Sequence, residues 1–173
     1  MQERLGTNRL VADFFTHSYR ISGSLNVRQK KLADQLNDQN TAFLVLENVY
    51  LSCIEHPAEI ATSHPVSTLR KSNIVAIIAA SRDDGLPREH TYGSYFGSQL
   101  TQVFITVPHF EIKGHLRIAG RWDVRTVLTT GTDDFITILD GQMRSADHPA
   151  TTFTGGAILV NKARIEAICE AKE

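Results

Sequence analysis

Apolar and polar residues alternate with a period of two over long stretches of this chain. Phe110, Ile112, Gly114, Leu116 and Ile118 fall on one side of an extended run, with Glu111, Lys113, His115 and Arg117 on the other. That pattern predicts a strand with one buried face. Residues 103–107, a β-branched and aromatic run, precede it and stop at Pro108-His109, so the two form a hairpin. The pattern then changes. Trp122, Val124, Val127 and Leu128 share one face of about two helical turns. Period two returns at residues 135–139, and Asp140-Gly141 reads as a hairpin turn into residues 142–146. A loop over 148–156 and two short strands, 157–161 and 165–169, complete the series, joined by a turn at Lys162-Ala163-Arg164.

The same series occurs earlier in the chain. Tyr19-x-Ile21-x-Gly23-x-Leu25-x-Val27 has its counterpart in Phe110-x-Ile112-x-Gly114-x-Leu116-x-Ile118. Leu32 and Leu36, on a helix expected over 27–37, fall on Val124 and Leu128, and Phe43-Leu44-x-Leu46 falls on Phe135-Ile136-x-Ile138. His56-Pro57-Ala58 falls on His148-Pro149-Ala150, and residues 71–77 fall on 162–168. Alternation alone accounts for the apolar matches but not for His-Pro-Ala, so a duplication is expected. Its first unit spans 1–82 and its second 98–173. Residues 83–97 form a linker, polar in its first half, with Tyr92, Tyr95 and Phe96 in its second. Glu47-Asn48 stands where the second unit has Asp140-Gly141, a loop runs over 56–65, and strands 66–70 and 74–79 flank a turn at Lys71-Ser72-Asn73. Five or six short strands and one helical turn in so short a unit cannot cover a flat sheet on both faces, so each unit is expected to curl into a small β-barrel.

Ile21-Ser22-Gly23-Ser24-Leu25 and Ile112-Lys113-Gly114-His115-Leu116 look like the hydrophobic-x-Gly-x-Leu strand of the Sm-like small β-barrels. Leu69-Arg70-Lys71-Ser72-Asn73-Ile74 and Val160-Asn161-Lys162-Ala163-Arg164-Ile165 are similar to that family's late turn, with Lys where it usually carries Gly. The resemblance implies a mainly β chain of two tandem Sm-like or SH3-like barrel units, each with a short helix between its second and third strands. Where the family's RNA-lining Asp and Asn would follow the first signature, this chain has the helical segments 28–37 and 121–129, and only Asp123 could stand for that Asp.

The 173 residues are 42% hydrophobic, enough to build a core. Eighteen Lys and Arg against 19 Asp and Glu leave no global field toward nucleic acid or anionic lipid. The longest apolar run, residues 74–80, is far below the ~20 residues of a membrane span, and the N-terminal residues have no signal-peptide core. A cytoplasmic protein is expected. Cys53 and Cys169 sit in apolar runs and are expected to be buried, inert thiols of a reducing compartment.

Candidate chemistry is sparse. The histidines, including His17, His56, His64, His90, His109, His115 and His148, form no His-x-x-x-His or Cys-x-x-Cys context, and the His-Pro pairs are expected in loops. Asp83-Asp84 and Asp133-Asp134 are expected as solvated or capping residues, Gly155-Gly156 lacks a following Gly-Lys-Ser/Thr, and no Gly-x-Ser-x-Gly occurs. No catalytic residue, metal or cofactor is therefore expected. The expected role is assembly: self-association, or a protein partner, through edge strands. The alternative is RNA binding by two basic turns, Arg70, Lys71 and Asn73 with Asn161, Lys162 and Arg164.

Overall fold

Each alternating run is a strand in the computed structural model, which describes residues 8–87, 98–119, 124–129, 131 and 133–170. Arg9–Thr16 (β1) and Tyr19–Asn26 (β2) form a hairpin, followed by the helix Leu32–Leu36 (α1) and the strands Phe43–Cys53 (β3) and Ile60–Arg70 (β4). A 3-10 turn, Lys71–Asn73, leads into Ile74–Ala79 (β5). After a second such turn, Asp83–Gly85, the order recurs: Ser98–Val107 (β6), Phe110–Ala119 (β7), Val124–Thr129 (α2), Phe135–Ser145 (β8), Thr152–Asn161 (β9), the 3-10 turn Lys162–Arg164, and Ala167–Glu170 (β10). The chain is mainly β. Its ten strands make one open antiparallel sheet in the order β10-β6-β7-β8-β9-β5-β1-β2-β3-β4.

Registers recur with the elements. Phe14 faces Ile77 in β1 and β5, and Ile105 faces Ile168 in β6 and β10. Leu44 faces Leu69 in β3 and β4, and Ile136 faces Val160 in β8 and β9. The halves of the sheet join at β5 and β9, where Ala76 faces Val160, Ile77 faces Leu159, Ile78 faces Ile158 and Ala79 faces Ala157. Every residue of β5 is buried, as are residues 157–161 of β9. A strand covered on both faces reads as an unbroken apolar run, which explains residues 74–80 without recourse to a membrane. Among the described residues, no helix is long and apolar enough to cross a bilayer.

Two hydrophobic clusters lie on opposite sides of this seam. Ile74, Ile77 and Ala79 join Ala157 and Leu159 in a cluster built on Phe14, Leu25, Leu36 and Leu46. Val75, Ala76 and Ile78 join Ile158 and Val160 in a second, built on Ile105, Phe110, Ile112 and Ile138. Alternation sends neighbouring side chains of one strand into different clusters, so neither can be completed without the other half of the sheet. Phe15 enforces this further: it leaves β1 for the second cluster, where its ring meets Phe110 and Phe153 edge-on at 5.2 and 5.1 Å.

Several local expectations are corrected. Asp140-Gly141 is not a hairpin turn, because β8 runs through it as one strand. Asp140 takes φ 48°, the β7–β8 register slips opposite it between Lys113 and His115, and the Arg82 guanidinium holds its carboxylate, which lowers that group's pKa. This is a β-bulge, and Asn48, at φ 51°, makes the same bulge in β3. The glycine of each strand signature lies at the slip. A Cβ on Gly114 would come 2.4 Å from Ile138 Cγ2, so the bent strand needs glycine there.

The helix expected over 27–37 is shortened to five residues. Asn26 Oδ1 accepts from the Arg28 N–H, and the Gln35 amide donates to the carbonyls of Asn26 and Lys30, so residues 28–30 form a bend instead of a helical turn. The long loops are shorter than expected, because β4 begins at Ile60 and β9 at Thr152; His64-Pro65 therefore lies in a strand. Cys53 and Cys169 are exposed: one ends β3, the other sits on the outermost strand, β10. Asp84 lies within its 3-10 turn, and its carboxylate accepts from the Ser81 N–H before it. Tyr92, Tyr95, Phe96, Trp122 and Asp123, with most of the proposed linker, lie outside the described residues.

Coupling through the seam has a measurable consequence. Ile158→Ala should cost about 2–5 kcal/mol and shift a single denaturation transition. Two transitions in urea, only one of them moved, would contradict the shared core.

Candidate functional site

The β5–β9 seam sets the two basic 3-10 turns side by side. Arg164 Nη2 donates to the Ser72 carbonyl at 2.8 Å, and the buried Asn161 side chain donates to the Ile74 carbonyl at 2.9 Å while accepting from the Ala163 N–H at 3.0 Å. Between the turns lies a cleft of about 440 Å³. Arg70, Lys71, Asn161 and Arg164 line it, whereas Asn73 and Lys162 are not among its lining residues.

These groups are not all available to a ligand. Lys71 is only 7% exposed. Its ammonium donates to the Asp38 carbonyl at 3.1 Å and to Thr41 Oγ1 at 2.6 Å, pinning the loop that follows α1. Burial holds this ammonium below the usual lysine range, partly offset by the nearby Asp38 carboxylate. Asn161 is likewise consumed by the seam, which corrects the expectation of two freely presented basic turns. Arg70 and Arg164 are the exposed cations of the cleft, and the Arg70 guanidinium lies 5.0 Å from the Phe43 ring centroid. Asp38 and Asp134 stand in the same lining. A hydrogen bond from Lys30, then one from the Asn40 N–H, keeps the Asp38 carboxyl below its ordinary pKa. The cleft is thus of mixed charge.

Sequence reading missed the residues that close the cleft from the α1 side. Asn37 Oδ1 accepts from the N–H groups of Asp134 and Phe135 at 3.0 and 3.1 Å, and Gln39 Nε2 reaches the Asp134 carboxylate at 3.2 Å. Asn37 carried the signal of a helix end and nothing more, since its partners lie almost a hundred positions away. Beyond the 38–41 loop a second hollow, about 540 Å³, is lined by Arg28, Lys30, Phe43 and Val45 among others. Among the described residues, no group of three or more His, Cys, Asp or Glu side chains is placed to hold a metal ion.

No family model, curated protein or solved structure matches this chain.

The sheet edges also have chemical capacity. Among the described residues, β4 and β10 each bond to the sheet on one side only, leaving a row of main-chain donors and acceptors on the other. On β4, Ile60 and Val66 are 64% and 56% exposed. Pro65 lies within this strand, and a proline in a strand leaves its missing donor on the unpaired side. Above the Asn48 bulge the Lys71 N–H donates to the Ala42 carbonyl beside β3, so alternation turns the N–H groups of Val66, Thr68 and Arg70 to the free edge. In the β9 strand the counterpart of Pro65 is Gly156, whose N–H donates across the seam to the Ala80 carbonyl at 3.0 Å.

The polar groups of the cleft differ in their expected contributions. Asn161→Ala strands the buried Ile74 carbonyl and should cost about 1–3 kcal/mol in urea denaturation. Arg164→Ala, at the exposed rim, should stay within about 0.5 kcal/mol. Equal losses would mean that the rim carries the seam.

Proposed function

We propose that this chain is a non-enzymatic assembly module made of two duplicated Sm-like barrel units, which associates through the free edges β4 and β10. The single observation that carries this reading is that the chain already joins its two halves by pairing edge strands. The five-strand order β5-β1-β2-β3-β4 recurs as β10-β6-β7-β8-β9, and the last strand of one set pairs with the last-but-one of the other. After that pairing, one strand of each kind is left over at opposite ends of the sheet. Unprotected edges of this kind are the usual substrate of β-augmentation.

A protein that works this way should lose association when the edge loses a donor. Thr68→Pro removes an outward N–H while leaving the bonds to β3 intact. Light scattering on a sizing column should give a mass above the 19.2 kDa of one chain, or retention of a protein partner, and Thr68→Pro should reduce either to the single chain. A strict monomer at high concentration that retains no protein would refute the reading.

RNA binding is the second reading, favoured by one observation: the two basic turns, distant in sequence, line one cleft. Arg70 and Arg164 would contact phosphate there, while Lys71 would act only by holding the loop. Affinity for a random single-stranded RNA pool should then fall with salt and drop severalfold in the Arg70→Ala/Arg164→Ala double variant. Absence of binding at low salt would dispose of this reading.

A further inference from the structure

We propose that the occupant of the free edge is a second copy of this chain, its β10 laid along β4 in the register of the internal seam. The proposal rests on the edge-assembly reading and adds the partner and the residue pairing. β10 stands to β6 as β5 stands to β1, and β4 stands to β3 as β9 stands to β8. Carrying the seam's pairs over to these equivalents sets Ala167 opposite Leu69, Ile168 opposite Thr68, Cys169 opposite Ser67 and Glu170 opposite Val66. Such a contact is head-to-tail, so each chain offers one edge of each kind.

Three features of the edges fit this register. Pro65 interrupts outward pairing on β4, so the usable edge is residues 66–70, and β10 is four residues long. The seam's counterpart, Gly156, is where β9 reaches past the end of β5, and Pro65 removes that extension. The half-exposed Val66 and the Thr68 side chain take the places of Ala157 and Leu159, on the face where Ile168 packs against the second cluster. Arg70 and Asn73 stand where Asn161 and Arg164 donate to carbonyls across the seam, so Arg70 faces the Ile165 carbonyl of the neighbouring copy.

The outer contact differs from the seam in polarity. Ser67, Thr68 and Glu170 replace Ile158, Leu159 and Ala79, so association is reversible and depends on concentration.

Cys169 supplies a native probe. In a Cys53→Ser background, Ser67→Cys treated with a short bis-maleimide should give covalently linked dimers and larger species. Ser63→Cys lies on the same edge but about 13 Å farther along, and should give none. Adding Cys169→Ser to Ser67→Cys should abolish the linkage. Suppose the chains associate and Thr68→Pro abolishes it, yet Ser67→Cys links no better than Ser63→Cys. The register is then wrong, although the edge reading stands. A single-chain mass at every concentration, with no linkage, overturns a second copy as partner, and a retained foreign protein sensitive to Thr68→Pro would still uphold the edge reading.

Discussion

The pairing of β5 with β9 is the contact on which the remainder of the structure depends. Four facing residue pairs, all apolar, form a strip whose two faces belong to different hydrophobic clusters. A strip of this kind stabilises both halves of the sheet at once, because each strand contributes side chains to the core of the other half as well as to its own. The polar lock at its end, Asn161 to the Ile74 carbonyl, gives a buried main-chain acceptor a side-chain donor from the facing strand. The cleft follows from this contact, which sets the turns at 71–73 and 162–164 side by side.

Bending is the second constraint. Positive-φ residues at 48 and 140, each opposite a glycine on the adjoining strand, let β3 and β8 turn without breaking. A bulge raises local twist and closes a sheet over its own apolar face. The same two sites explain why the strand signature contains glycine at all: at Gly114 the space a methyl group would need is occupied by Ile138.

Alternation was the most readable property of the sequence, and it located the strands because one face of each is buried. The recurring order of elements was readable too, since the side-chain classes at 43, 44 and 46 recur at 135, 136 and 138, which open β3 and β8. Bulges were misread as turns at 140–141 because Asp-Gly suits both, and only the continuation of pairing beyond them decides the matter. The cysteines were misread because apolar neighbours do not reveal whether a strand lies at the centre of a sheet or at its margin. At the cleft, the basic turns were visible as motifs, but their proximity depends on a pairing between strands some eighty residues apart. Lys71 looked like a surface cation for the same reason: the carbonyl and hydroxyl that bury it belong to the 38–41 loop.

Gly156 and Pro65 hold equivalent register positions in β9 and β4, and they impose opposite fates on the two strands. A Cβ at 156 would lie 2.7 Å from the Arg82 nitrogen, so the inner strand tolerates only the smallest residue and is held for the life of the fold. The outer strand carries the one residue that cannot donate a main-chain bond. A strand at the rim of the sheet is therefore spared the demand for close fit that the seam makes: its composition can change without endangering either cluster, whereas the slightest enlargement at 156 presses on the main chain beside it.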